Sequence, residues 1–296
     1  MKKIYVIGLC AVLLFTTCQQ DEIIIQTQET VNVPLTLNTE VQTTTGSRAA
    51  TPLIPDVENL IYDLWVVQYD HEGIITKNPA PKHYRKDAQG LLSVTESITL
   101  ATGESTICMI VNMGYNSDEV PITFPDNLTQ FKQTLAEVDV EAAANGTLQR
   151  IPMCGYWQGE ISTTTKTLSV TLGRMMTRIN LILNNQTGGA LNEVKAILNN
   201  VPNQAHVFPS ISSEANKPST ITLTDEIGNI ASGSSVTRYF YIAPNLWEQE
   251  ATTLKLTATG KNELSIRLGN DSPDVTGGNS KLYPNNIYTF TINLKN

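Results

Sequence analysis

The feature that most constrains this chain is a run of alternating apolar and polar residues near its start, V-N-V-P-L-T-L-N-T-E-V over residues 31–41. Apolar side chains at every second position are typical of a strand with one face packed on a core. The residues of that face are Val31, Val33, Leu35, Leu37 and Val41. Pro34 falls on the polar face and has no amide hydrogen, so we expect the strand at the edge of its sheet.

A polar stretch, T-T-T-G-S-R-A-A-T-P, follows this strand and contains one basic residue, Arg48. Exposed stretches of small and polar residues are preferred sites of proteolysis. A cut between Arg48 and Ala49 would free the strand, and its withdrawal would open an apolar groove for a strand from another subunit. The alternative is an ordinary first strand of a sandwich, followed by a loop that contains an arginine.

The first 17 residues predict a signal segment that takes no part in the fold. Lys2 and Lys3 precede an apolar run over residues 4–15, which is too short for a spanning helix, and two threonines precede Cys18. This arrangement resembles a bacterial lipoprotein signal, which implies a lipid on Cys18; a plain secretory signal is the alternative. The next residues, Q-Q-D-E, resemble the surface-export signal of Bacteroidia lipoproteins and imply a lipid-anchored protein on the cell outer membrane.

Charge argues against nucleic acid as a partner. Loss of Lys2 and Lys3 with the signal leaves 18 basic residues against 28 acidic ones, a net charge of about −10. The 296 residues, 41% of them hydrophobic, are enough for two domains. Cys108 and Cys154 follow the signal and both lie in apolar sequence, which predicts two buried thiols, with a disulfide between them as the alternative.

Most of the remaining chain predicts strands, so we expect a mainly β fold. The predicted strands cover residues 60–69, 105–113, 161–172, 175–183, 219–223, 237–242, 253–258, 264–268 and 287–294. One helix is predicted after a cap at Asp126 or Asn127, from the helical spacing of Leu128, Phe131, Leu135 and Val138. A second domain is expected to begin near residue 173, which gives domains over residues 49–172 and 173–296 after a propeptide over 18–48.

The order of these segments resembles the fimbrillin-type pilins of Bacteroidia, the type V pilus family. The matching motifs are S-R-A at Ser47, E-N-L-I-Y-D-L-W-V-V-Q-Y-D-H-E-G from Glu58, T-I-C-M-I-V-N-M-G from Thr106, T-L-A-E-V from Thr134, I-P-M-C-G from Ile151, L-G-R-M-M-T-R-I from Leu172 and Y-P-N-N-I-Y-T-F-T-I-N-L from Tyr283. The resemblance implies two transthyretin-like β-sandwich domains in tandem. It also implies strand exchange with other pilin subunits after an arginine-specific protease removes the first strand.

The resemblance bears on the position of such a subunit in a fimbria. Shaft subunits of this family carry a C-terminal extension that donates a strand, whereas this sequence ends at Asn296 with the strand that would precede it. We therefore expect a terminal subunit, at the tip and adhesin-like, with a host or bacterial surface receptor as a further partner. An anchor or a solitary surface lipoprotein is expected if Arg48 is not cut, and donation of the last strand itself stays open.

Catalytic and metal-binding patterns are weak, so we expect no enzyme, cofactor or metal. His71, His83 and His206 are predicted in solvated loops, and the pairs Asp70 with Glu72 and Asp225 with Glu226 in turns. Asp271 and Asp274 lie in N-D-S-P-D, which lacks a full set of calcium ligands, so a solvated turn is expected.

Tryptophans provide the second functional hypothesis, a surface glycan-binding lipoprotein. Trp157 and Trp247 lie near the ends of predicted strands, where exposed rings could stack on sugars. Packing against a core or its rim is the alternative for both, and Trp65 is predicted in the core.

Overall fold

The computed structural model describes residues 29–39, 56–113, 124–143, 148–208, 217–269 and 280–296, and in these residues the fold is mainly β. One short helix is present among them, as predicted, together with two 3-10 helices. In chain order the first elements are β1 (Thr30–Thr39), η1 (Asp56–Asn59), β2 (Ile61–Asp70), β3 (Lys82–Leu91), β4 (Ser93–Ala101), β5 (Gly103–Val111), α1 (Leu128–Phe131), β6 (Leu135–Glu137), β7 (Glu141–Ala143), β8 (Met153–Ile161) and β9 (Leu168–Arg174). They are followed by β10 (Thr177–Asn185), β11 (Leu191–Pro202), β12 (Gln204–His206), β13 (Thr220–Ile230), β14 (Ser235–Ile242), η2 (Glu248–Glu250), β15 (Thr253–Thr257), β16 (Leu264–Arg267) and β17 (Ile287–Leu294).

The first half of the chain forms a seven-stranded sheet in the order β3-β2-β5-β8-β9-β1-β4. Its two end strands approach each other, since Tyr84 and Arg85 of β3 bond Thr99 and Glu96 of β4. The sheet therefore folds over one hydrophobic cluster, here called the first core. Its residues are Val33, Leu35, Leu37, Ile61, Leu64, Val66, Val94, Ile98, Leu100, Ile107, Met109, Val111, Met153, Ile161, Leu168, Val170 and Leu172.

The second half, together with β7 from the first half, forms two four-stranded sheets, β17-β10-β14-β7 and β13-β11-β15-β16. The inward residues of β10 alternate as Ile179, Leu181 and Leu183, and all three are buried in a second cluster with residues of β11, β14 and β15. Two sheets packed over one alternating apolar interior are typical of a β-sandwich.

A middle cluster lies on the outer face of β2, β5 and β8 and is covered by α1 and the two-stranded ribbon of β6 and β12. Asn127 caps α1 through its side-chain oxygen, as predicted, but the helix ends at Phe131. The predicted helix to Val138 is wrong because Leu135–Glu137 pairs with Gln204–His206, some 70 residues further along the chain. In this extended segment the inward residues are Ala136 and Val138, two positions apart.

Most predicted strands are confirmed, with shifted bounds. The predicted strand over 161–172 is interrupted, since β8 ends at Ile161 and β9 begins at Leu168. β5 is confirmed as a central strand, paired on both sides and buried over its last seven residues. Seven strands were not predicted: β3, β4, β6, β7, β8, β11 and β12.

A buried ionic cluster joins the two halves. Glu58 of η1 accepts hydrogen bonds from Arg174 at 2.8 Å, from Arg178 at 2.5 Å and from the Tyr241 hydroxyl at 2.6 Å. All four side chains are at most 5% exposed. Burial lowers the pKa of Arg174 and raises that of Tyr241. Because the carboxylate has three charge-assisted or hydroxyl partners, its desolvation is compensated inside the protein.

Candidate functional site

The first strand is held between two other strands. β1 runs antiparallel to β4, from Thr30 opposite Ala101 to Asn38 opposite Ser93. It also runs parallel to β9, from Leu35 opposite Leu168 to Thr39 opposite Leu172. The prediction that this strand lies at a sheet edge is therefore wrong. Pro34 is tolerated because the ladder to β9 begins only at Leu35, one residue later.

The apolar face of β1 is buried as the alternation predicted. Val33, Leu35 and Leu37 are 0% exposed and lie in the first core. Val31 is half-buried against the same core. Val41 lies outside the described residues.

β1 is the only ladder partner of β4 among the described strands, because β4 ends the sheet order. β9 has a second ladder, but it consists of two residue pairs with β8, Met153 with Arg174 and Cys154 with Gly173. The walls on either side of β1 are therefore joined to each other mainly through β1. Removal of this strand would expose an apolar groove lined by Val94, Ile98, Leu100, Leu168, Val170 and Leu172.

β9 also packs closely against β8 at Gly155. A Cβ atom on Gly155 of β8 would lie 2.7 Å from the Thr171 carbonyl oxygen and 2.8 Å from Cγ1 of Val170. Glycine is needed here because the space that a side chain would fill is taken by the backbone of β9.

The predicted lipidation and cleavage sites cannot be placed in this geometry. Cys18, Arg48 and Ala49 lie outside the described residues, as do Asp271 and Asp274. Residues 40–55, which contain Arg48, connect the end of β1 to η1.

The two candidate glycan-contacting tryptophans are both half-buried and lie in different parts of the molecule. Trp157 is on β8 and packs against the first core, while Trp247 precedes η2 and donates its backbone N–H to Asn245. Trp65 is 5% exposed, as predicted for a core residue. A nearby exposed aromatic ring was not predicted: Tyr156 is 40% exposed and stacks on Phe208 at 4.8 Å.

Two of the three histidine placements were wrong. His71 lies exposed in the turn after β2, as predicted. His83 lies in β3, where its ring stacks on Trp65 at 4.7 Å and its Nε2 lies 3.7 Å from the buried Asp63 carboxylate. His206 lies half-buried in β12, and burial lowers its pKa. Both histidines lie in strands because distant segments pair with them, which a proline-flanked sequence does not reveal.

The paired carboxylates bond to turn amides or to basic side chains. Asp70 ends β2 and its side chain accepts from two turn amides, as expected for a turn residue. Asp225 and Glu226 lie in β13 rather than in a turn, and they pair with Arg238 and Lys195. No group of three metal-ligating side chains is found in the described part of the chain.

Cys108 and Cys154 are buried, unbridged thiols that face the middle cluster. Burial raises the pKa of both, that of Cys154 to about 12, so both stay protonated at neutral pH. In the described ranges, no helix has the length and apolar character needed to cross a bilayer.

The sequence reasoning did not identify the two walls of the groove as a candidate site, although it predicted the inward residues of β9. β4 reads S-V-T-E-S-I-T-L-A, in which Val94, Ile98 and Leu100 fall on one face. This alternation is a readable strand signal. Nothing local indicates that β4 and β9 flank β1, because both pairings join distant segments.

No family model matches the chain, and no curated protein matches it in sequence. Solved structures do. The fold is similar to that of a proposed cell adhesion protein from Parabacteroides distasonis, with a TM-score of 0.62 and 13% identity over 89% of this chain and 88% of that one. It is also similar to the tip fimbrial protein Mfa3 from Porphyromonas gingivalis with a C-terminal truncation, with a TM-score of 0.58 and 12% identity over 90% and 95%. A third similar structure is a proposed polysaccharide-binding protein from Bacteroides thetaiotaomicron, with a TM-score of 0.55 and 10% identity over 89% and 92%.

The chain therefore has the fold of the fimbrial and adhesion proteins of Bacteroidia. The resemblance to fimbrillin-type pilins drawn from the sequence is confirmed at the level of the fold.

Proposed function

We propose that this protein is a structural subunit of a surface fimbria, and that it accepts a strand from another pilin subunit after β1 has been removed. The observation that carries the proposal is the placement of β1. β1, at the start of the described chain, lies between β4 and β9, and these two strands form no ladder with each other in the described sheet. β1 buries three aliphatic side chains there. A donor strand with the same alternation would restore both ladders.

The same burial explains why the strand would have to be cut before it leaves. Each fully buried aliphatic side chain contributes about 1.5 to 3 kcal/mol, so Val33, Leu35 and Leu37 together hold β1 strongly while it remains part of the chain. Cleavage turns this folding contact into a binding contact between separate chains, which a donor strand can then compete for.

The remaining elements of the proposal follow the resemblance. Lipidation at Cys18 would anchor the protein at the cell outer membrane, and an arginine-specific protease would cut between Arg48 and Ala49 before entry into the fimbria. The sandwiches over residues 49–172 and 173–296 would be tandem transthyretin-like domains.

A terminal place, at the tip, is supported by the similarity to the tip fimbrial protein Mfa3. A tip subunit would contact a host or bacterial surface receptor. A subunit left uncut at Arg48 would instead stay lipid-anchored at the base.

The cleavage step is tested by treating the folded protein with an arginine-specific protease and determining the new N-terminus. We expect a single early cut that leaves Ala49 first, with β1 still bound to the folded remainder. An Arg48→Lys variant is the matched control, since it keeps the charge but removes the recognised side chain. A product cut first at another arginine, or no product from the folded protein, contradicts the proposal.

A second candidate function, glycan binding by a surface lipoprotein, is favoured by the similarity to a proposed polysaccharide-binding protein. Trp157, Trp247 and the exposed Tyr156 are the aromatic rings that could contact a sugar. A glycan array with the uncut protein tests this. Signal that is lost in Trp157→Ala or Trp247→Ala supports it, and an array without signal contradicts it.

A further inference from the structure

The outer edge of β4 is closed by side chains instead of a strand. β4 ends the sheet, so its edge away from β1 has no ladder. At Ala101 the Gln68 side chain takes the place of a neighbouring strand. Its Nε2 donates to the Ala101 carbonyl at 2.8 Å and its Oε1 accepts from the Ala101 amide at 2.8 Å. The Gln68 Nε2 also donates to Ser105 at 2.8 Å.

Tyr84 does the same two residues earlier on the same edge. Its hydroxyl accepts from the Thr99 amide at 3.1 Å and donates to the Thr99 carbonyl at 3.4 Å. A third link follows at Glu96, whose carboxylate pairs with Arg85 at 2.6 Å. Thr99 and Ala101 are two positions apart, so their backbone groups point to one side of the strand.

These links matter because of what β1 leaves behind. Without β1, β4 has no strand partner among the described residues, and a strand without a ladder partner has little to keep it extended. Gln68 is 3% exposed, and its Oε1 accepts from the Ala101 amide, so loss of β4 from this place would leave that buried oxygen without its partner. Neither bond to Ala101 involves β1.

We propose that Gln68, Tyr84 and Arg85 are positioning residues that keep β4 in place as a wall of the empty groove, so that a donor strand meets a preformed site. The proposal rests on the proposed function, since it concerns the state after β1 has left. If β4 is already ordered, binding of the donor strand does not have to pay the entropy of ordering β4 as well, and the affinity of the donor strand is higher. The same side chains occupy the outer edge of β4, so an incoming strand pairs on the groove side.

The test uses the full chain, cut by the arginine-specific protease and freed of the β1 fragment by gel filtration in urea below the unfolding midpoint. The probe is a fluorescent peptide that copies residues 29–41 of this chain, which the groove fits by construction. Peptide affinity is measured by anisotropy, and the protection of β4 by hydrogen exchange of the empty protein.

We expect the cut wild-type protein to bind the peptide and to keep β4 protected when empty. Gln68→Met, which is similar in size but makes no amide bonds, should weaken the peptide about tenfold and remove the protection of β4. Tyr84→Phe, a milder change, should act in the same direction. Gln158→Met is the control for the chemical change: this exposed glutamine lies on β8 and bonds Thr106 rather than β4, so the peptide affinity of the variant should stay within about twofold of wild type.

The outcomes separate the two proposals. A cut wild-type protein that does not bind the peptide contradicts the proposed function, and this inference with it. A wild-type protein that binds while Gln68→Met and Tyr84→Phe bind equally well, with β4 equally protected, contradicts only the inference. Equal weakening by Gln158→Met also overturns it, because the effect would then not belong to the edge of β4.

Discussion

Leu35 contributes both to the first core, through its side chain, and to the pairing of β1 with its neighbours, through its backbone. Its side chain is fully buried in the first core, and its backbone begins the ladder to β9 while also pairing with Glu96 of β4. When a buried leucine in a well-packed site is shortened, its neighbours cannot move far enough to fill the space. The stability of β1 in its place therefore depends on a few buried aliphatic side chains rather than on its exposed polar face.

We expect Leu35→Ala to lower the free energy of unfolding of the uncut protein by about 2–5 kcal/mol, from lost burial and the cavity that remains. Asn38→Ala is the matched control, because Asn38 lies exposed on the same strand, and it should change stability by less than about 0.5 kcal/mol. Urea unfolding measures both. A change at Leu35 no larger than that at Asn38 would show that β1 contributes little to the first core.

Among the elements, β9 depends on a close contact with β8. We expect Gly155→Ala to destabilise the protein by about 1–3 kcal/mol, because the added methyl group would press on the Thr171 carbonyl oxygen and on Val170. Gly189→Ala is the control, since nothing lies within 4 Å of the added atom there. Thermal unfolding distinguishes the two, and equal midpoints would contradict the close packing of β8 on β9.

How far the sequence predicts these elements depends on the range of the interactions that form them. The alternation over residues 31–41 is a local signal, and it correctly predicted both a strand and its buried face. The strand β9 was predicted as part of 161–172, but β4 was missed, and neither was predicted beside β1 because pairing between segments distant in sequence leaves no local trace. Pro34 pointed to an edge, yet the β9 ladder begins one residue after it, so the missing amide hydrogen costs nothing there.

The helix prediction failed for a related reason. Leu128, Phe131, Leu135 and Val138 do have helical spacing, and the cap at Asn127 is present. The ribbon with Gln204–His206 then draws residues 135–137 into a strand. Strand pairing with a distant segment here outweighs a helical periodicity that rested on only four apolar residues.

At the scale of the whole molecule, Glu58 joins the segment after the proposed cleavage site to both halves. We expect Glu58→Gln to destabilise the protein by about 3–5 kcal/mol, because Arg174 and Arg178 would remain buried without a carboxylate. Glu226→Gln is the control, since its pair with Lys195 is exposed and screened by water, so its loss should change stability far less. Equal urea midpoints for the two variants would contradict a structural role for the buried cluster.

The central claim is that β1 leaves its groove and another strand replaces it, and a reversible crosslink tests this most directly. Asn32 lies opposite Thr99, whose backbone groups bond Tyr84 on the other edge of β4. The pair is therefore a non-hydrogen-bonded one, with Cα atoms about 4.5 Å apart, which is within disulfide range. Cys108 and Cys154 are buried and should not interfere, and Cys10 and Cys18 are changed to Ser in this protein because they lie in the cleaved fragment.

The measurement is native mass spectrometry of the Asn32→Cys, Thr99→Cys protein after cleavage at Arg48, incubated with an isotope-labelled copy of residues 29–41. We predict that the reduced protein exchanges its own β1 fragment for the labelled peptide, and that the oxidised protein retains its fragment and takes up none. Equal uptake by the oxidised and reduced forms, or no uptake by either, would contradict the account.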